Sequence, residues 1–177
     1  MHKSFESVAA TVLVLALSGP SSAQQVASSS SPATLVAQIL SLQEQGDDAA
    51  AQRLASRNAK PLAAELTKVL DDIDRDFDDM GRQKARADTL EKRFDQLELT
   101  LVRHEKAFRL YGQVTGDQKL LRSFQAKALR IEGARHTTRA DALWDRLEYA
   151  QALDEYSSAI AKLQQAIPLT RLVEDKS

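Results

Sequence analysis

Large apolar residues recur three and four positions apart along most of the chain. The first series is Leu62, Leu66, Val69, Ile73, Phe77 and Met80, and after an interruption around Gly81 it continues as Leu90, Phe94, Leu97, Leu101, His104, Phe108 and Tyr111. A second series runs Leu121, Phe124, Ala128 and Ile131, weakens from Arg135 to Arg139, and resumes as Tyr149, Leu153, Tyr156, Ile160, Leu163 and Ile167. Alternating steps of four and three make a heptad seam, the mark of helices that pair along one face. The pattern predicts two long helices, over about 61–111 and 117–167, the second discouraged from continuing by Pro168. Between them, Gly112-Gln113-Val114-Thr115-Gly116-Asp117 predicts a tight turn. Gly112 can end the first helix in a left-handed conformation. Thr115 and Gln118 fit a capping box, with Gln118 reaching back to Thr115.

In an antiparallel hairpin, facing positions have a constant sum. Leu62 with Ile167, Leu66 with Leu163, Val69 with Ile160, Ile73 with Tyr156 and Met80 with Tyr149 all give 229. Near the turn, Leu101 with Ala128 and Phe108 with Leu121 also give 229, while Leu97 with Ile131 and His104 with Phe124 give 228. The expected architecture is therefore all-α: a long antiparallel coiled-coil hairpin over 60–168, turning at 112–116, with arms of about 75 Å. The competing arrangement is a compact bundle with the arms broken at Gly81 and Gly133. Upstream, Leu35, Val36, Ile39 and Leu42 form one short apolar face behind Ser31-Pro32, a cap and first-position pair. Gly46 stops that helix, Asp47 can cap the next, and Ala51, Leu54 and Ala55 give the next a thin stripe. Residues 32–59 thus read as a short helical hairpin, expected near the base of the long one.

Before residue 32 the pattern changes. Val8 to Leu17 is an apolar run of ten, preceded by His2 and Lys3 and followed by Gly19-Pro20 and Ser21-Ser22-Ala23. Residues 1–23 are expected to be a secretory signal cleaved after Ala23, leaving no transmembrane segment. An uncleaved anchor helix is the alternative. Residues 24–31 read as a disordered Ser/Ala/Gln linker and 169–177 as a C-terminal tail. The expected location is outside the cytoplasm, periplasmic or secreted. The 6 Gly and 4 Pro in 177 residues favour helix, and the absence of Cys removes disulfides, thiolate metal sites and Cys nucleophiles.

Little in the chain suggests catalysis. Asp72-x-Asp74-x-Asp76 copies the opening of a calcium loop, but Phe77 stands where that loop needs Gly and Gln83 where it needs a bidentate Glu. Asp71 to Asp79 reads instead as an exposed acidic helix face. His104 and His136 lack a second ligand at helical spacing. There is no phosphate-binding Gly-rich loop and no nucleophile elbow. No catalytic, cofactor or metal residues are assigned, and the protein is expected not to be an enzyme.

Charge is more informative. Residues 101–140 hold nine Lys/Arg against three acids, a net +6, whereas 61–80 are net −5 and 141–160 net −4. Folded as a hairpin, the chain would have a basic tip and an acidic shaft. Arg103, Lys106, Arg109, Lys119 and Arg122, with the apolar edge of Leu110 and Tyr111, make the candidate partner-binding tip, suited to a protein partner or an anionic envelope surface. Nucleic acid is disfavoured by the export signal.

Two stretches resemble known families. Tyr149-x-x-Ala152-Leu153-x-x-Tyr156-x-x-Ala159-Ile160 resembles the second helix of a tetratricopeptide repeat, although His136, Arg139 and Ala140 stand where the first helix usually has Trp, Leu and Gly. Leu90-Glu-Lys-Arg-Phe-Asp-Gln-Leu97 resembles periplasmic coiled-coil segments of large bacterial mechanosensitive channels and TonB-system proteins. Neither resemblance carries functional residues to this chain. The expected function is a non-catalytic exported envelope adaptor or scaffold that docks through its basic tip. The alternatives are a periplasmic holdase-type chaperone or an accessory subunit of an envelope channel or transporter.

Overall fold

Why the heptad pattern does not give one long hairpin is visible in where the chain turns. The computed structural model describes residues 34–82 and 86–174, all helices and short turns, with no strand among them. The helices are α1 (Leu35–Glu44), α2 (Asp48–Arg57), α3 (Ala59–Arg82), α4 (Ala87–Thr115), α5 (Lys119–Asp145) and α6 (Tyr149–Glu174). The expected signal segment, the linker and the last residues of the tail lie outside the described residues.

Each expected arm is two helices. In the first, α3 ends one residue beyond Gly81, and α4 starts after Arg86, which is extended at φ −68° and ψ 153°. The chain then reverses: Met80 and Leu97 line one cleft, and Val69 and His104 another, so α4 runs antiparallel along α3. In the second arm the break is at Arg146–Glu148, not at Gly133, which sits inside α5. Leu147 takes a left-handed φ of 65°, and the Leu147 and Glu148 amides donate to the Trp144 and Leu143 carbonyls. A two-helix ribbon has one seam and leaves most of its apolar area wet. Folding back lets Leu70, Ile73 and Met80 share a core with Phe94, Leu97 and Leu101. The far-end pairs of the long register, such as Leu62 with Ile167, are therefore not made; the backbone of α6 approaches α5 and no other described helix.

The turn at the α4–α5 junction is four residues later than Gly112. Gly116 is the left-handed residue, at φ 73°, and its amide donates to the Gly112 carbonyl. Gly112 is buried within α4. A Cβ there would lie 2.9 Å from Gln118 Nε2, the group that donates to the Gly112 carbonyl at 3.0 Å. Gln118 thus reaches back, as its position suggests, but to a helix C-terminal carbonyl and not to Thr115. Thr115 Oγ1 instead accepts from the Asp117 amide at 3.1 Å. From this turn α5 runs antiparallel to α4. Phe108 stacks on Phe124 with ring centroids 4.5 Å apart, in place of the expected Leu121.

The short pair α1–α2 packs against α3 and α4 beside this turn, not at the opposite end. Thr34, not Ser31, caps α1, accepting from the Ala37 amide at 3.2 Å. Glu65 of α3 accepts from the Leu35 and Val36 amides at 3.1 and 2.8 Å, a tertiary cap on the positive end of α1. Gly46, at φ 77°, ends the helix, and Asp47 accepts from Ala50 to start α2. The main core joins α1 to α5 around Ile39, Leu62, Leu66, Ile73 and Phe108, each under 2% exposed or nearly so.

α6 is held differently. Ala152, Ala159 and Ala166 are its buried residues, and they face α5, which buries Ala126, Gly133 and Ala140. Both sets repeat every seven residues, the spacing of a seam made from small side chains, which lets the helix axes come close. A Cβ on Gly133 would lie 3.2 Å from Leu163 Cγ and 3.4 Å from the Ala159 carbonyl. The expected end at Pro168 is also passed, and α6 continues to Glu174. Pro168 has no N–H for the Gln164 carbonyl, but both residues are exposed, so water can supply the donor.

Candidate interaction surfaces

The α4–α5 end carries the cations singled out above. Arg103, Lys106, Arg109 and Lys119 are exposed and Arg122 is half-buried. Arg103, Lys106 and Arg109 share the side of α4 flanked by the short pair. Lys106 and Arg109 line a cleft with Gln43, Asp48 and Gln52, and Arg103 lines another with α1 and α3. Arg109 also donates to Glu105 at 2.6 Å. Lys119 and Arg122 lie in the first turn of α5. The apolar edge is not available: Leu110 and Tyr111 are each only 7% exposed. Sequence alone could not place α1 and α2 against this end, where Leu110 shares a cleft with Gln43, Asp48 and Gln52 of that pair.

The net +6 of residues 101–140 is not all at this end. Lys127 pairs with Asp74 of α3, while Arg135 and Arg139 reach α4. Arg135 bonds Glu91, Asp95 and Glu98, and Arg139 holds Glu91 at 2.8 and 3.0 Å. The apparent weakening of the seam at Arg135–Arg139 is a ladder of ion pairs between α4 and α5. What remains at the end is five cations against Glu105 and Asp117. The fold adds residues 34–70 there, with four basic and four acidic side chains, so the excess survives. The expected acidic shaft does not form, because α3 and α6 are apart.

Burial works against the Glu91 carboxylate, but hydrogen bonds from Arg139 and Arg135 outweigh it and hold its pKa below the ordinary glutamate value of 4.5. The guanidinium groups of Arg135 and Arg139 are correspondingly raised. A carboxyl depressed in the fold stabilises it above its unfolded pKa, and that contribution fades as pH falls through the folded value. Thermal melts should therefore show stability falling below about pH 4.5, and Glu91→Gln should lose less on acidification than the wild type. An equal loss in both would show that the ladder is not the acid-sensitive element.

The Asp71–Asp79 run is helical throughout, with Asp72 paired to Arg75 and Asp79 to Arg82. The histidines are held locally. His104 Nδ1 lies 2.8 Å from the Thr100 carbonyl, and His136 Nδ1 lies 2.6 Å from Glu155 across the α5–α6 contact. Among the described residues no His, Asp or Glu group is arranged to hold a metal ion. No described helix is long and apolar enough to cross a membrane.

Two apolar surfaces were not picked out from the sequence. One is a cleft of about 380 Å³ between α4 and α5, lined by Phe94, Leu101, Val102, Ala128 and Leu129, with Leu169 of α6 at its side. The other is the large-residue seam of α6. Tyr149, Leu153, Ile160, Leu163 and Ile167 are 43–58% exposed, and Trp144 packs edge-on against Tyr149 at 4.8 Å. The signal was present in the sequence as the 149–167 heptad, but it was assigned to the inside of the hairpin. The helix is rotated so that alanines face α5; Leu163 packs over Gly133, and Leu153, Ile160 and Ile167 lie to the outside. No protein-family model matches the chain, and neither does any curated protein or solved structure.

Proposed function

We propose that the protein is a non-catalytic adaptor or scaffold of the cell envelope, docking on an anionic partner surface through its α4–α5 end. The observation that carries this is the gathering of Arg103, Lys106, Arg109 and Lys119, all exposed, at an end where Leu110 and Tyr111 are buried. Such an end binds by charge, not by apolar insertion. Attraction of this kind contributes about 1 kcal/mol per basic residue near an anionic membrane and is screened by salt. The envelope location rests on the N-terminal pattern of residues 1–23.

Charge reversal tests it. Arg109→Glu, Lys119→Glu and Arg122→Glu together should lower binding to phosphatidylglycerol-containing vesicles, or to an acidic envelope protein, by at least about tenfold. Helicity should be unchanged, because none of the three is in the core. Wild-type binding should weaken between low and physiological salt. Undiminished binding by the triple variant would sink the reading.

A second reading, a holdase-type chaperone, is favoured by the exposed α6 seam, which could hold apolar client segments. Suppression of aggregation of a thermally unfolded client enzyme, lost on Leu153→Glu and Ile160→Glu, would select it over the adaptor.

A further inference from the structure

We propose that the exposed seam of α6 is covered by the same seam of a second copy of this chain, running antiparallel about a two-fold axis near Ser158. The seam spans Tyr149 to Ile167, about 27 Å of helix, and isolated exposed apolar residues of ordinary surfaces do not line up in this way. Its positions are self-complementary. In antiparallel register Tyr149 meets Ile167, Leu153 meets Leu163, and Tyr156 meets Ile160, large against large at every level. Beside the seam lie Ala150, Ser157 and Gln164, all uncharged, so two copies can close without like charges meeting. Trp144 and Leu147, 49% and 70% exposed at the turn, extend the apolar area toward the roughly 800 Å² per partner of a standard interface.

Charge selects the antiparallel direction. Asp141, which accepts from the Tyr156 hydroxyl on the seam side, lies with Asp145 and Glu148 at the α5–α6 turn, against Arg146 alone. At the other end of the same side are Arg130, three turns before Asp141 on α5, and Arg171, one turn past Ile167 on α6. A parallel pair would set acids against acids. An antiparallel pair sets the acidic end of each copy against Arg130 and Arg171 of the other. It also points the two basic α4–α5 ends in opposite directions, which would make a scaffold bivalent.

Sedimentation equilibrium of the full chain tests the pairing. The expected result is a concentration-dependent doubling of the 19.5 kDa monomer mass. Leu153→Glu with Ile160→Glu should restore the monomer with unchanged far-ultraviolet circular dichroism. Leu99→Glu, also exposed but on α4, should remain dimeric. Since the chain has no Cys, single cysteines report direction. Ser157→Cys, beside the proposed axis, should form an intermolecular disulfide on mild oxidation. Ala150→Cys, separated from its counterpart by about 24 Å in this register, should not. A monomer at all concentrations overturns the proposal, including one that uses the seam for client peptides or vesicles. A dimer insensitive to the double substitution, or one lacking the Ser157→Cys cross-link, also overturns it. None of these outcomes bears on vesicle binding by the basic end, so the two readings fail separately.

Discussion

Replacing Phe108 with Ala should lower the unfolding free energy by about 3–5 kcal/mol. Phe108 is fully buried, stacks on Phe124 at 4.5 Å, and belongs to the cluster that α1, α2, α3, α4 and α5 all enter. Truncation removes the ring's transfer free energy and leaves a cavity between helices that cannot all move inward at once. No polar side chain is buried in this core to bring water into the gap. The loss should appear in denaturant melts as a lower midpoint with an unchanged slope, and in thermal melts as a drop of about 10 °C or more. A loss below about 1 kcal/mol would mean that the five helices do not close around this ring.

The second large effect is expected at the α5–α6 contact. Ala159→Asp puts a carboxylate where helix backbones nearly touch: Ala159 is 3% exposed and its carbonyl lies 3.4 Å from the space a Gly133 Cβ would fill. Burying that charge unpaired costs several kcal/mol. The cheaper outcome is that α6 leaves α5, its sole close neighbour. Hydrogen exchange in α6 should accelerate by about a hundredfold or more, and protease should cut at Arg146–Glu148. The α1–α5 core should stay protected, because its cluster contains no α6 residue. Ala161→Asp, two residues away, exposed and off the seam, should do neither. Continued protection of α6 in Ala159→Asp would refute the small-residue seam.

These two sites also show how far the sequence could be read. The all-helical character was legible, as were Gly46 and Asp47 between α1 and α2 and the α4–α5 pairing around Phe108. Local chemistry decides those features. The break at Leu147 was not legible. A leucine in the left-handed region costs about 1 kcal/mol or more, and neither Gly nor Asn announces the turn. What holds it is tertiary: two carbonyl bonds at the helix end and the whole α5–α6 contact beyond. The α6 seam was legible as a pattern but was assigned the wrong partner. Ranking positions by size picks Leu153 and Ile160, whereas close helix approach picks Ala152 and Ala159. At the candidate site, the cations were legible and the burial of Leu110 and Tyr111 was not. Leu110 meets α1 and α2, some sixty residues away in the chain.

That separation sets a timetable for folding. The contacts of α3 with α4, α4 with α5 and α5 with α6 join helices consecutive in the chain, and such local contacts form quickly. α1 and α2 depend on a later partner, because part of their apolar face is sealed by α4. During synthesis at about 5–20 residues per second, Ile39 is made several seconds before Phe108. Over that interval the N-terminal pair has α3 beside it but lacks the cover that α4 supplies. The chain's most hazardous moment thus falls early, while its oldest helices wait for a ring not yet translated. α6 arrives last, onto a core that is already closed.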